Sequence, residues 1–303
     1  MTRSSPGSES MIPSLTGAVL CLGETMGVVA PMAPEPLRLA ETFRMDAGGA
    51  ESNVAMGLAR LGHRVVWRSR LGNDPLGQRV LDRLVAAGVE PWAEIDPDRP
   101  TGLYLKDPGA GVHYYRAGSA AASSSPALLD AVRWNDVSIV HVSGILPALS
   151  AGCADLVDAV LDRAAAASVT VSFDVNFRPA LWSSQRASMF LRELARQADI
   201  VFVGLDEAQA LWGSADAEDV RRLLPDPDLL VVKDAAVGAT AFHGAAVVFE
   251  PALVVDVLEQ VGAGDAFAAG FLAATLEKRS LGDRLRLAHT CAARVLGTTG
   301  DVW

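Results

Sequence analysis

Nothing in the 303 residues approaches the ~18 consecutive apolar residues that a membrane-spanning helix needs, so a spanning helix is excluded. There is also no Lys/Arg cluster of five or more, and the net charge is −10. A nucleic-acid groove needs a basic face to displace counterions, which argues against a nucleic-acid partner. The pattern G-x-x-x-x-G-K-[ST] occurs nowhere, which excludes a Walker-type phosphate loop. Cysteine is scarce. Cys21, Cys153 and Cys291 are far apart in apolar stretches, as buried thiols of a reducing, cytoplasmic compartment would be. Met1 to Gly17 is rich in Ser, Pro and Gly without the apolar stretch of a signal peptide, and residues 1–17 read as a disordered tail.

What is present is a chain half apolar and 20% charged, long enough for one large α/β domain over 18–303. Short β-branched runs at 18–23, 64–71, 138–144, 170–176, 200–204 and 229–233 alternate with Ala/Leu/Arg-rich helical stretches. That order predicts βαβ units and a mostly parallel, covered sheet. Two segments break the rhythm, about 28–45 and 91–116. Alternation in Gly102 to Lys106 and Val112 to Arg116 reads as antiparallel strands outside the main sheet, a small lid.

The sharpest local feature is Val261-Gly262-Ala263-Gly264-Asp265-Ala266-Phe267, followed by a nearly polar-free helical run. Gly262, Ala263 and Gly264 allow a turn whose N–H groups converge, with the Asp265 carboxylate at the mouth of a helix. Such a site holds charge developing on a transferring phosphoryl group, and Asp265, expected to stay ionised there, would take the proton of an attacking hydroxyl. The alternative is an Asp that merely caps the helix, worth about 1 kcal/mol.

Other stretches carry a resemblance. Gly48-Gly49-Ala50-Glu51-Ser52-Asn53-Val54-Ala55, a helix ending Ala59-Arg60-Leu61-Gly62, and Gly262 to Asp265 in that order resemble the paired motifs of the PfkB/ribokinase family of carbohydrate kinases. Thr101 to Tyr104, Tyr114 to Ala120, Phe173 to Trp182 and Gly23-Glu24 are similar to 2-keto-3-deoxygluconate kinases within it. The resemblance implies a ribokinase-like α/β fold with a β-strand lid, and ATP- and Mg²⁺-dependent phosphorylation of a sugar acid. It implies a sugar site of Gly49, Ala50, Glu51, Asn53, Tyr104, Tyr115, Arg116, Arg178 and Asp301. On the nucleotide side it implies Asn176, Lys233, Ala235, Gly238, Gly262, Gly264 and His289, with Glu207 acting on Mg²⁺ through water. The chemistry suits the residues: the Arg fork matches a carboxylate, and Tyr offers stacking area with a hydroxyl donor.

Departures lie on the nucleotide side. Ala235 stands where the family commonly has Gly, at a cost of roughly 1–2 kcal/mol if the position needs φ > 0. Gly204 replaces an Asn, Glu259 an Asp and His289 an Asn, and relatives run on for a short segment past Trp303. Readings from the residues alone also stand: Tyr104 and Tyr115 as ordinary strand residues, Arg116 as a solvated lid charge, Arg178 as a partner of Asp174. A kinase for a neutral sugar or nucleoside, or a weakly catalytic sugar sensor, are the alternative functions, and a monovalent-cation requirement is left open. Exposed lid strands that pair between subunits predict a homo-oligomer.

Overall fold

Strands alternating with amphipathic helices can hide both element types by placing helices on both faces of one sheet. The computed structural model, which describes residues 15–298 and 300–302, has that arrangement. The chain runs through β1 (Ala18–Leu22), β2 (Met26–Pro31), β3 (Phe43–Gly48), α1 (Ala50–Arg60), β4 (Val65–Gly72), α2 (Pro75–Ala86) and β5 (Glu90–Asp96). A hairpin of β6 (Leu103–Asp107) and β7 (Gly111–Tyr115) precedes β8 (Val137–Ser143), α3 (Ala151–Ala167), β9 (Thr170–Asp174), α4 (Ser184–Gln197) and β10 (Ile200–Gly204). Then come α5 (Leu205–Trp212), α6 (Ala217–Leu223), β11 (Leu229–Asp234), β12 (Gly238–His243), β13 (Ala246–Pro251), α7 (Ala263–Leu276) and α8 (Leu281–Leu296).

The main sheet has nine strands in the order β13-β12-β11-β10-β9-β8-β1-β4-β5, every pair parallel except β11–β12 and β12–β13 at one edge. Because side chains alternate along a strand, Leu20 and Leu22 of β1 join one core with Val157 of α3 and Leu191 of α4. Val19 and Cys21 join the other, with Val54 of α1, Phe271 of α7 and Leu285 of α8. The three cysteines are free and buried. Among the described residues no helix is long and apolar enough to cross a membrane.

The second sheet, the lid, has the order β3-β2-β6-β7. Its hairpins are antiparallel, but β2 and β6 pair in parallel, which the sequence did not suggest. The lid is also smaller than expected. Glu90–Asp96 pairs in parallel with β4 as the outer strand of the main sheet, and edge strands, half-exposed, share their polar alternation with a lid. At the N-terminus Leu15 is buried in the core and Gly17 N–H donates to Asp136 O at 2.9 Å, so the last residues of the expected tail belong to the fold. Its first fourteen positions lie outside the described residues.

Strand order turns at β1: β4 and β5 lie to one side, β8 to β11 to the other. Loops leaving β1 and β8 diverge there, opening a crevice at the carboxyl ends of the strands, the usual place for a ligand in an open α/β sheet. The lid stands over it.

Candidate active site

A cavity of about 520 Å³ occupies this crevice, walled by the loops after β1, β8, β9, β10 and β11, the start of α1, the lid and the turn before α7. At its floor Gly262 is the N-cap of α7, with φ +86°. A Cβ there would lie 2.1 Å from Asp301 O, so glycine is required by conformation and by space alike. Ala263 N–H is used within the turn, donating to Gln260 O at 3.2 Å, and Ala263 does not reach the cavity wall. Gly264 and Asp265 do. Their N–H groups belong to the first helical turn, which has no intrahelical acceptors.

Asp265 is the third residue of α7, not its cap, and the capping residue Gly262 makes no side-chain bond. Its Oδ2 accepts Asn53 Nδ2 at 2.8 Å, from the start of α1. Burial pushes the carboxyl up to about 6, with the Asn53 hydrogen bond opposing and Asp174 adding to the rise. Asp265 therefore remains mostly ionised near neutral pH, as expected, but desolvation makes it a stronger base than an aspartate in water.

One end of the cavity is formed under the lid. Gly49 caps α1 and passes so close to the preceding strand connection that a Cβ would meet Glu24 O at 2.1 Å. Gly49, Ala50, Asn53, Tyr104, Tyr114, Arg116 and Asp301 line the wall, and Asn53 Oδ1 is buried without a partner. Tyr104 hydroxyl donates to Asp301 Oδ2, and Lys106 Nζ donates to Asp301 Oδ1 at 2.6 Å. Burial, reinforced by the Asp301 carboxylate, holds the Tyr104 phenol far above its ordinary pKa, fixing it as a donor.

Three expected sugar contacts fall differently. Tyr115 is 62% exposed on the outer face of the lid. Tyr114 faces inward instead, opposite Tyr104 in the ladder with ring centroids 5.7 Å apart. A one-residue offset changes face, and the spacing Tyr114-x-Arg116 is the signal that could have told them apart. Arg116 borders the cavity but is neither solvated nor free. Its Nε donates to Glu24 Oε2 at 2.7 Å, with Nη2 on the same oxygen, and Ser119 Oγ donates to Glu24 Oε1 at 2.7 Å. Glu51 lies beneath the cavity, accepting from Ser143 N and Oγ at 3.1 and 2.6 Å, and burial pushes it up to about 7.

At the other end Lys233 Nζ lies 3.0 and 3.2 Å from the two Asp174 oxygens. Burial opposes its charge, but Asp174 and Glu207 outweigh that and raise its pKa. Since Lys233 takes Asp174, the suggested Arg178–Asp174 pair does not form. Arg178 is exposed on the wall; among the described residues its one hydrogen bond is a 3.4 Å donation to Phe177 O, and no carboxylate lies within ion-pair distance, though its charge opposes the rise that burial gives the Glu207 and Asp265 pKa values. Glu207 accepts Phe177 N and Gly204 N, each at 2.8 Å, and burial raises its pKa. Asn176 lines the wall at φ 39° with a buried, partnerless Oδ1.

Ala235 also lines the wall and sits at φ 39°, so the position does take the left-handed conformation that glycine would adopt freely. Gly238 and His289 do not reach the cavity. Gly238 opens β12 opposite Pro251, packed on Phe249. His289 donates to Glu250 O at 3.1 Å and stands edge-on to Phe267, 5.1 Å between centroids, and burial lowers its pKa. Sequence reasoning passed over Asp206, Gln260 and Lys106, which carry no motif of their own.

The sequence pattern of pfkB family carbohydrate kinases matches residues 17–302. The chain is similar to the 2-dehydro-3-deoxygluconokinase of Bacillus subtilis, 35% identical over 292 residues, 92% of this chain and 90% of that protein. It is 31% identical to the 2-dehydro-3-deoxygalactonokinase of Haloferax volcanii, covering 95% of this chain and 93% of that one. Among solved structures, a PfkB protein from a Polaromonas species superposes with a TM-score of 0.86 at 34% identity, over 92% of this chain and 96% of the other.

Proposed function

The chain belongs to the pfkB family of carbohydrate kinases, and from that premise we propose that it phosphorylates 2-keto-3-deoxygluconate at its 6-hydroxyl, using ATP and Mg²⁺. The observation that carries the acid-sugar reading is Arg178, a cavity cation with no acid within ion-pair distance among the described residues, though its charge acts on Glu207 and Asp265. A carboxylate in a cavity of an acidic protein needs such a cation, and Arg116 is already neutralised by Glu24. The names of the Bacillus and Haloferax relatives support it, since both are kinases of 2-keto-3-deoxy sugar acids.

In this reading the sugar lies under Tyr104 and Tyr114, with a hydroxyl donating to the partnerless Asn53 Oδ1 and the carboxylate on Arg178. Asp265 takes the 6-hydroxyl proton as the oxygen attacks the γ-phosphorus of ATP, and the bond to the β,γ-bridging oxygen breaks to release ADP. The first-turn N–H groups of α7 meet the charge gathering on the phosphoryl oxygens. Lys233 meets phosphate charge from the nucleotide end. Among the described residues no three acidic, His or Cys side chains are arranged to hold a metal. The oxygen-rich wall of Glu207, Asp206 and Asn176 suits an ion that keeps its waters, and Mg²⁺ would supply charge neutralisation of the triphosphate.

A coupled kinase assay over 2-keto-3-deoxygluconate, 2-keto-3-deoxygalactonate, fructose and ribose tests the assignment. The highest kcat/KM is expected for the gluconate compound; a preference for fructose or ribose overturns the acid-sugar reading. The same reading carries a cytoplasmic location and a homo-oligomer joined across the outer face of the lid, where Phe43, Met45 and Tyr115 are exposed. Sedimentation at micromolar concentration should give a mass above that of one chain.

A further inference from the structure

Lys106 belongs to none of the roles above, yet it joins the lid to the phosphate side of the cavity. It lies two residues after Tyr104 on β6, so both side chains leave the same face of the lid. Between them they occupy both oxygens of Asp301, the tyrosine on Oδ2 and the lysine on Oδ1 at 2.6 Å. Gly48, closing β3, leaves the room: a Cβ there would lie 2.6 Å from the Tyr104 oxygen and 2.7 Å from Asp301 Oδ2. The backbone of the same Asp301 packs against Gly262, the N-cap of α7.

The second arm of Lys106 reaches Glu259 Oε2 at 3.0 Å. The other oxygen of Glu259 accepts the N–H groups of Gln260 and Val261 at 2.9 and 3.2 Å, holding the turn that leads into Gly262 and Asp265. Lys106 and Asp301 are both buried, so that contact is little screened by solvent, while the Glu259 contact is partly exposed. One lid cation therefore grips the anion turn twice, through the Asp301 carboxylate and through Glu259.

We propose that Lys106 is a positioning residue that couples lid closure over the sugar to ordering of the turn that meets the charge of the transferring phosphoryl group. Sugar closing the lid draws Lys106 onto Asp301 and Glu259, and nucleotide ordering the turn holds the lid through the same contacts. Because coupling between two sites is reciprocal, each ligand tightens the other by the same factor. The inference rests on the kinase reading of the cavity but not on which sugar it takes.

Hydrogen exchange with Mg-ADP alone, which does not involve the sugar, tests it in the wild type, Glu259→Gln and Lys106→Met. Glu259→Gln keeps an acceptor for the turn and leaves the Lys106–Asp301 pair in place, so it guards against a Lys106→Met protein that fails to fold. In the wild type, Mg-ADP should slow exchange in 103–115 by about five-fold or more, the low end of ordinary coupling. In Glu259→Gln that lid protection should fall below about two-fold while protection of 260–266 persists. In Lys106→Met, which removes both contacts, lid protection should likewise fall below about two-fold; undiminished lid protection in both variants, or none in the wild type, overturns the proposal. In parallel, the dissociation constant of 2-keto-3-deoxygluconate with and without Mg-ADP should differ in the wild type and converge in Glu259→Gln. Failure of the wild type to bind that sugar acid at all refutes the substrate assignment and leaves the exchange result to decide on Lys106.

Discussion

Asp265 illustrates how one side chain acquires its chemistry from its surroundings. An aspartate in water titrates near 4 and is a poor base; burial pushes Asp265 up to about 6 despite the opposing Asn53 hydrogen bond. A carboxylate with a raised pKa is ionised only above that value, so kcat/KM should fall roughly tenfold per pH unit below about 6 and level off above it. A plateau extending to pH 4 would remove Asp265 from the proton-transfer role. On the proposed reading Asp265 acts only during transfer, so Asp265→Asn should lower kcat by about 10²-fold or more while sugar affinity stays within a few-fold. Arg178 makes the complementary case. It is exposed with no ion pair among the described residues, so Arg178→Ala should leave the melting temperature unchanged. A charge-assisted hydrogen bond is worth roughly 1.5–3 kcal/mol, so KM for the sugar acid should rise ten- to a hundred-fold, with KM for ATP nearly constant. The type of both residues was legible in the chain. The burial that raises the Asp265 pKa, and the Asn53 hydrogen bond that opposes it, were not, since both depend on segments far apart in the sequence.

At the scale of elements, period and pairing decide which residues meet. The six runs read as main-sheet strands all appear there, because β-branched segments between helices have one stable arrangement. The lid shows the limit of that reading. Tyr114 and Tyr115 are adjacent and chemically equivalent, and only the register of β7 against β6 turns one toward Tyr104 and the other to solvent. The β11–β12 connection stores strain that can be released. Ala235 at φ 39° costs about 1–2 kcal/mol, offset in part by the extra chain entropy of glycine, about 0.4–1 kcal/mol. Ala235→Gly should therefore stabilise the protein, raising its melting temperature by roughly 1–2 °C in a calorimetric scan. A lower melting temperature would mean that the turn tolerates alanine without strain.

For the molecule as a whole, charge is the governing constraint. The net charge is −10, and the cavity carries Asp174, Asp206, Glu207 and Asp265 against Lys233 and Arg178 once the Glu24–Arg116 and Lys106–Asp301 pairs are set aside. A triphosphate entering such a wall needs a divalent cation with it. Activity should vanish in excess chelator and return with Mg²⁺; full activity in chelator would contradict this electrostatic account. The sequence by itself determined the layered α/β architecture, the glycine turn with its aspartate, and membership of a kinase family, because each is written in local pattern and spacing. Only the tertiary structure decided that Glu24 neutralises Arg116, that Lys233 rather than Arg178 pairs with Asp174, that His289 and Gly238 lie away from the cavity, and that Lys106 reaches the anion turn. Those outcomes depend on charges competing for partners across distant segments and on the depth at which they are buried, and neither quantity exists until the chain has folded.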